Sequence, residues 1–219
     1  VLWGDNGLPL ALIEAKKTVL ITEHRYSKYA GIYSSSKSGR FCVQFMTFFN
    51  TDDSLKVLKK WRAQCIEWCF ARYEDGKFGD QKYLDEWPLT YSNVHILKNE
   101  GGGIAPWNVL KYNFMIRNGI ISGCIKKDKI IFPVVFFHFQ YVKFVPGGEV
   151  DLGWYIIPRN VFRLFYVPYL LKIRVIEKRL KDNYPSFVTG ISNRNYSVKN
   201  SIFKNIFGYN ITNIEKYIL

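Results

Sequence analysis

Histidine and cysteine are scarce in this 219-residue chain, with three of the first and four of the second. None of the His residues lies close in sequence to a Cys, which leaves a zinc site little support. Cys42, Cys65, Cys69 and Cys124 are unevenly spread, and Cys65 and Cys69 stand four apart in a helical pattern, where thiols act as small hydrophobes. Free thiols in a reducing cytoplasm are therefore expected. Long apolar runs are lacking too. The longest, IIFPVVFFHF at 130–139, is too short to span a bilayer, and no positively charged leader precedes an apolar run. The chain opens on VLWGDNGLPL without an initiator Met, so a piece of a longer polypeptide is expected. RRM, KH and helix-turn-helix signatures are absent, and the basic residues of the first 158 positions are interspersed with acids, which argues against a nucleic-acid partner.

Hydrophobic residues make up 48% of the chain and aromatics 17%, enough to bury one substantial core but not two large ones. The net charge of +13 attracts phosphates, nucleic acids or anionic lipids without choosing among them. Its distribution is more selective. Residues 159–219 hold eleven Lys and Arg against Glu177, Asp182 and Glu215, a local excess of eight.

TVLITEH, 18–24, is β-branched and apolar, and predicts a buried strand that ends in Thr22, Glu23 and His24. YSSSKSGR, 33–40, has the composition of a loop. FCVQFMTF, 41–48, predicts a second strand. From Thr51 the period becomes helical: Asp52, Asp53 or Ser54 caps, and Leu55, Leu58, Trp61, Cys65 and Trp68 recur at three and four. VHIL, 94–97, predicts a short strand, EGGGIAPWN, 100–108, a Gly-rich loop, and IIFPVVFFHF a further buried strand. Pro168 opens another helix, whose stripe of Tyr169, Ile173, Ile176 and Leu180 is surrounded by Lys172, Arg174, Lys178, Arg179 and Lys181. The expected fold class is α/β, a mixed sheet flanked by helices over 1–158 followed by a basic, amphipathic helical extension over 159–219. Residues 168–183 fit either docking on an anionic membrane surface or packing on the main domain.

One polar stretch interrupts this pattern. In EDGKFGDQKYLDEWP, 74–88, Gly79 breaks from the preceding loop and Asp80 is placed to cap a helix carrying Tyr83, Leu84 and Trp87. GDQKYLDEWP, preceded by CIEWCFARYEDGKF and followed by GGGIAPWNVLKY, resembles a bacterial family of nucleotide-diphospho-sugar glycosyltransferases with the GT-A (Rossmann-like) fold, of the surface-glycan and lipopolysaccharide type. The resemblance runs over roughly the first 170 residues and rests on several motifs in order.

It implies transfer of a sugar from a nucleotide-diphospho-sugar donor to a hydroxyl of a glycan or lipid-linked acceptor, with Asp80 and Gln81 bordering the transferred sugar. Their chemistry suits that: a carboxylate accepts from two sugar hydroxyls, and an amide both donates and accepts. Asp80 either positions the acceptor hydroxyl or takes its proton. His138 is either a structural, hydrogen-bonded histidine or, as the resemblance implies, a ligand to a divalent cation, Mn²⁺ or Mg²⁺. Lys143 stands earlier than the diphosphate-binding lysine of the resembled pattern. The Asp-x-Asp metal motif is missing; the resemblance puts it just before VLWGD, and Asp5 and Asp53 are poor substitutes. Glu149 and Asp151 have the spacing but belong to a solvated loop. Gln44 stands where related sequences line the sugar site, or else faces solvent. His24 and Arg25 end a strand at the edge where open α/β sheets bind ligands, or are surface cations. Trp107 stacks on a sugar ring or closes a structural turn.

The expectation is thus a glycosyltransferase, cytoplasmic and peripheral at the inner face of a membrane, in which Asp80, Gln81 and His138 meet in one pocket. Its rival is a silent carbohydrate-binding domain.

Overall fold

The computed structural model describes residues 13–192 and 211–217, and the chain divides into two compact units, 1–138 and 139–219. The division falls between 138 and 139, whereas the expected boundary stood at 158. The fold is mixed α/β, built from several small sheets and helices.

In the first unit β1 (Val19–Glu23) is central, with four of its five residues buried. Helix α1 (Lys28–Ser38) follows where a loop was expected: Ser27 caps it, its Oγ accepting from Ala30 N at 3.3 Å, and Gly39 ends it at φ 90°. Polar composition misled there because a helix needs a cap and a stop more than an apolar face. Strand β2 (Phe41–Phe48) pairs antiparallel with β1, but the register shifts between Leu20 and Thr22, so β2 carries a bulge. The bulge sends Val43 and Met46 to one side of the sheet and Phe45 to the other.

Helix α2 (Asp52–Glu67) begins as expected, with a different cap: Thr51 and Ser54 form a reciprocal capping box, while Asp52 and Asp53 occupy the first turn, where carboxylates oppose the positive end of the helix dipole. Its Val57 joins Val19, Ile21, Phe41, Leu84 and Trp87 in a core. Each such side chain contributes about 1.5–3 kcal/mol by leaving water. The polar stretch makes the hairpin β3 (Tyr73–Glu74) and β4 (Lys77–Phe78), a 3₁₀ turn at Lys82–Glu86 and the short helix α3 (Trp87–Thr90). Strand β5 (Val94–Ile96) then joins β1 in parallel, giving the order β2-β1-β5.

Beyond the glycine turn, β6 (Tyr112–Arg117), β7 (Ile120–Ile125) and β8 (Ile131–Pro133) form an antiparallel sheet. The expected long strand at 130–139 is cut short at Pro133. From there the chain leaves β7 and follows the turn around Gly101: Val135 N donates to Gly101 O at 3.0 Å and His138 N to Ile104 O at 2.8 Å. A Cβ on Gly101 would stand 1.9 Å from Pro133 O, so this approach requires glycine.

The second unit contains the antiparallel sheet of β9 (Lys143–Phe144), β10 (Glu149–Asp151) and β11 (Ile211–Asn213). Glu149 and Asp151 thus stand in a strand, and Asp151 is buried, not in a solvated loop. Pro158 caps a first turn, Arg159–Val161, which continues through a π-helical turn, Phe162–Tyr166, into α4 (Val167–Asn183). The helix therefore starts well before Pro168. Leu170 and Glu177 are its buried residues, whereas Ile176, expected in the buried stripe, is 45% exposed. Arg174 Nη1 and Lys181 Nζ both donate to Glu177, at 3.0 and 2.8 Å. Lys181 first, then Thr189, hold this carboxyl at about 2. Among the described residues no helix is long and apolar enough to cross a membrane.

Candidate active site

The parallel neighbours β1 and β5 end at the same edge, and a cleft of ≈ 520 Å³ opens there, lined by Glu23, Arg25, Tyr26, Arg40, Asp85, Glu100 and Lys111. Its ionised groups hold one another. Arg25 has a positive φ of 50° and turns its guanidinium back on the strand end: Nη1 donates to Asn99 O at 2.8 Å, Nη2 to Leu97 O, and Nη1 lies 3.6 Å from Glu100 Oε2. Tyr112 OH donates to Glu100, and burial together with that carboxylate pushes the phenol far above its ordinary value. Arg40 Nε donates to Glu23, Arg40 N to Asp85 Oδ1 at 2.8 Å, and Lys82 Nζ to Asp85 Oδ2 at 2.9 Å. Arg25 is thus a buried clamp, its side chain 7% exposed, and not a surface cation.

His24 is buried as well. Its ring stacks on Tyr26 at 4.6 Å and meets the edge of Trp107 at 5.1 Å, with Nδ1 3.3 Å from Arg40 O. Burial drives its pKa down to about 4, so the imidazole is neutral at physiological pH. Trp107 is 3% exposed and offers no open face to a sugar. Its Nε1 donates to His24 O at 2.8 Å, and Asn108 Nδ2 donates to the same carbonyl at 3.0 Å and to Gly103 O at 2.7 Å. The APWN turn is therefore a clamp on the end of β1. His138 extends this cluster, its ring centroid 5.2 Å from that of Trp107, and its burial likewise lowers its pKa.

Asp80 caps no helix, contrary to the simplest sequence reading. Gln81 takes the N-cap position of the 3₁₀ turn without a side-chain bond to it. Asp80 is fixed through its backbone, with Trp61 Nε1 donating to its carbonyl at 2.8 Å. Its half-buried carboxylate has no hydrogen-bond or ion-pair partner among the described residues, and its charge contributes to raising the thiols of Cys42 and Cys65. Gln81 Nε2 donates to Ser38 O at 2.8 Å, tying the polar stretch to the end of α1.

Gln44 does not face solvent. Its Oε1 and Nε2 are both buried without a partner among the described residues, and Nε2 lies where a Cβ on Gly103 would be only 3.0 Å away. Buried amides are almost always paired, so both polar atoms of Gln44 stay open to a hydrogen-bonding partner.

Gln44, His24, Arg25, Trp107, Asp80, Gln81 and His138 all belong to the first unit, while Lys143 belongs to the second, with Nζ 4.0 Å from the Tyr141 ring centroid. No hydrogen bond or ion pair joins Asp80 or Gln81 to His138, whose ring lies beside Trp107, and none of the three is among the residues that line the cleft. The sequence reading missed the cleft's carboxylates, Glu23, Asp85 and Glu100, and its cations Arg40 and Lys111. Asp5 lies outside the described residues. Among the described residues no three His, Cys, Asp or Glu side chains converge where they could hold a metal ion. These residues do not by themselves form the cation site that the resemblance implies, and no step below runs through one.

Two proteins of Bacillus subtilis (strain 168) are similar to this chain. The uncharacterized protein YfnD is 29% identical over 178 residues, 79% of this chain and 55% of YfnD. The uncharacterized protein YfnF is 31% identical over 112 residues, 51% of this chain and 35% of YfnF. The chain thus spans about half the length of the first relative and about a third of the second. No family model matches the chain, and no solved structure does.

Proposed function

We propose that this chain carries the sugar-handling part of a GT-A-type glycosyltransferase, which moves a sugar from a nucleotide-diphospho-sugar to a hydroxyl of a glycan or lipid-linked acceptor. The observation that carries the reading is the state of Asp80. Glu23, Asp85 and Glu100, which line the cleft, are all ion-paired, whereas Asp80, outside that lining, has a carboxylate with no partner among the described residues. A partly exposed carboxylate with no protein partner is held for water or a ligand, and its two oxygens suit a pair of sugar hydroxyls.

In this reading Asp80 binds the sugar or takes the acceptor proton, and Gln44 supplies an amide donor and acceptor from β2. Gln81, bound through Nε2 to Ser38, keeps only Oε1 for a hydroxyl; it positions more than it binds. Arg25, turned back on the strand end, holds the edge in shape, and Lys111, which has no ion pair among the described residues, is left to meet the diphosphate.

The test compares two carboxylates close in the chain, Asp80 without a protein partner and Asp85 bonded to Arg40 N and Lys82 Nζ. Asp80→Asn in the intact protein lowers sugar turnover by about a hundredfold or more, on the order of 3 kcal/mol of transition-state stabilisation, with the unfolding temperature unchanged. Asp85→Asn, which breaks the Lys82 and Arg40 contacts, lowers the unfolding temperature instead. Full turnover by Asp80→Asn sinks the assignment.

A further inference from the structure

The antiparallel sheet β6-β7-β8 has two unlike faces. In its registers Tyr112, Phe114 and Phe132 share the inner face and are buried, with the Tyr112 ring 5.9 Å from Phe114 and 5.3 Å from Phe132. The opposite face carries Met115, Ile120 and Ile131, which are 39%, 54% and 46% exposed, with the exposed Pro133, Asn113 and Arg117 beside them and Ser122 and Cys124 buried along the middle strand. Ile130, beside β8, is 56% exposed. A soluble sheet normally keeps large apolar side chains off its open face, so four of them exposed together on one short sheet ask for an occupant.

Charge identifies it. Arg117 ends β6 beside the Asn118-Gly119 turn, opposite Ile120 on the open face, and the turn between β7 and β8 carries Lys126, Lys127 and Lys129; Asp128 is the one acid in 112–133. The six residues of β7 hold these turns roughly 20 Å apart. The apolar face therefore has cations at both ends, and two copies laid face to face would bring positive end against positive end whichever way they ran. An acyl-chain boundary beneath a layer of anionic headgroups matches both features at once.

We infer that the open face of β6-β7-β8 docks on an anionic lipid surface. This surface differs from the basic helix suggested by sequence, where Glu177 already takes up the charges of Arg174 and Lys181. The inference stands independently of the sugar-transfer reading.

The experiment is co-sedimentation of the intact protein with phosphatidylcholine vesicles and with vesicles that also contain phosphatidylglycerol. Binding to the anionic vesicles and weak binding to the neutral ones are expected. Arg117→Gln, Lys127→Gln and Lys129→Gln together lower partitioning on the order of a hundredfold. Met115→Asp with Ile120→Asp abolishes it, while Lys178→Gln with Arg179→Gln on α4 leaves it nearly unchanged. Should the aspartate pair unfold the protein, the glutamine triple variant still decides. Equal binding to both vesicles, binding lost only in the α4 variant, or a dimer dissolved by Ile120→Asp would overturn the inference.

Discussion

Replacing Gln44 by Met should make the protein more stable and less active. Both polar atoms of the Gln44 side chain are buried without partners among the described residues. Leaving such a group unpaired costs about 1–3 kcal/mol by mutational measures. Met has nearly the same length and volume and no polar group to satisfy, so the exchange returns that cost without opening a cavity. For a chain of this size about 2–4 °C of unfolding temperature accompanies each kcal/mol, so Gln44→Met should melt several degrees higher. If the amide is kept orphaned for the sugar, turnover falls by tenfold or more in the same variant, the trade of stability against function seen where strained sites serve ligands. Scanning calorimetry and a turnover assay on one preparation read both effects. A lower melting temperature with unchanged turnover would refute the reasoning, because it would mean that the amide is satisfied structurally.

Acid should destabilise the first unit in a defined window. His24 titrates near 6.5 when unfolded and at about 4 when folded, so the unfolded state binds more protons in between: stability is full above pH 6.5 and is lost as pH falls towards 4, by roughly 1.4 kcal/mol per unit. His24→Gln should flatten that slope in urea titrations, and an unchanged slope would assign it to other groups. Gly101→Ala forces a Cβ to within 1.9 Å of the Pro133 carbonyl, and should cost more than about 3 kcal/mol in denaturant unfolding; a loss under about 1 kcal/mol would mean that this turn is not as tight as described.

Where local chemistry decided an element, the sequence was readable. Val19–Glu23 and Asp52–Glu67 follow from a β-branched run and from a capped three-four period. Helix α1 was not legible in its Ser-rich composition, because Ser27 and Gly39, its cap and stop, lie at or beyond the edges of that stretch. The β6–β7 hairpin, absent from the expectations, has a clear local signal in Asn118-Gly119, both at positive φ. The truncation of the 130–139 run depends on Gly101, thirty residues earlier, and no local pattern reveals it. At the site, residue type pointed to Asp80 and Gln44 but not to their condition. That Arg25 is turned inward, Trp107 buried and Asp85 engaged twice follows from tertiary pairing across distant segments.

The central claim is that Asp80 serves an activated sugar, and release of nucleoside diphosphate tests it most directly. The intact protein is incubated with a panel of nucleotide-diphospho-sugars and Mn²⁺, with and without a lipid-linked or oligosaccharide acceptor, beside the Asp80→Asn variant. At least one donor should give acceptor-dependent release, with the variant about a hundredfold slower at an unchanged unfolding temperature. Release at the wild-type rate by Asp80→Asn, or glycan binding indifferent to every nucleotide in the panel, would contradict the account.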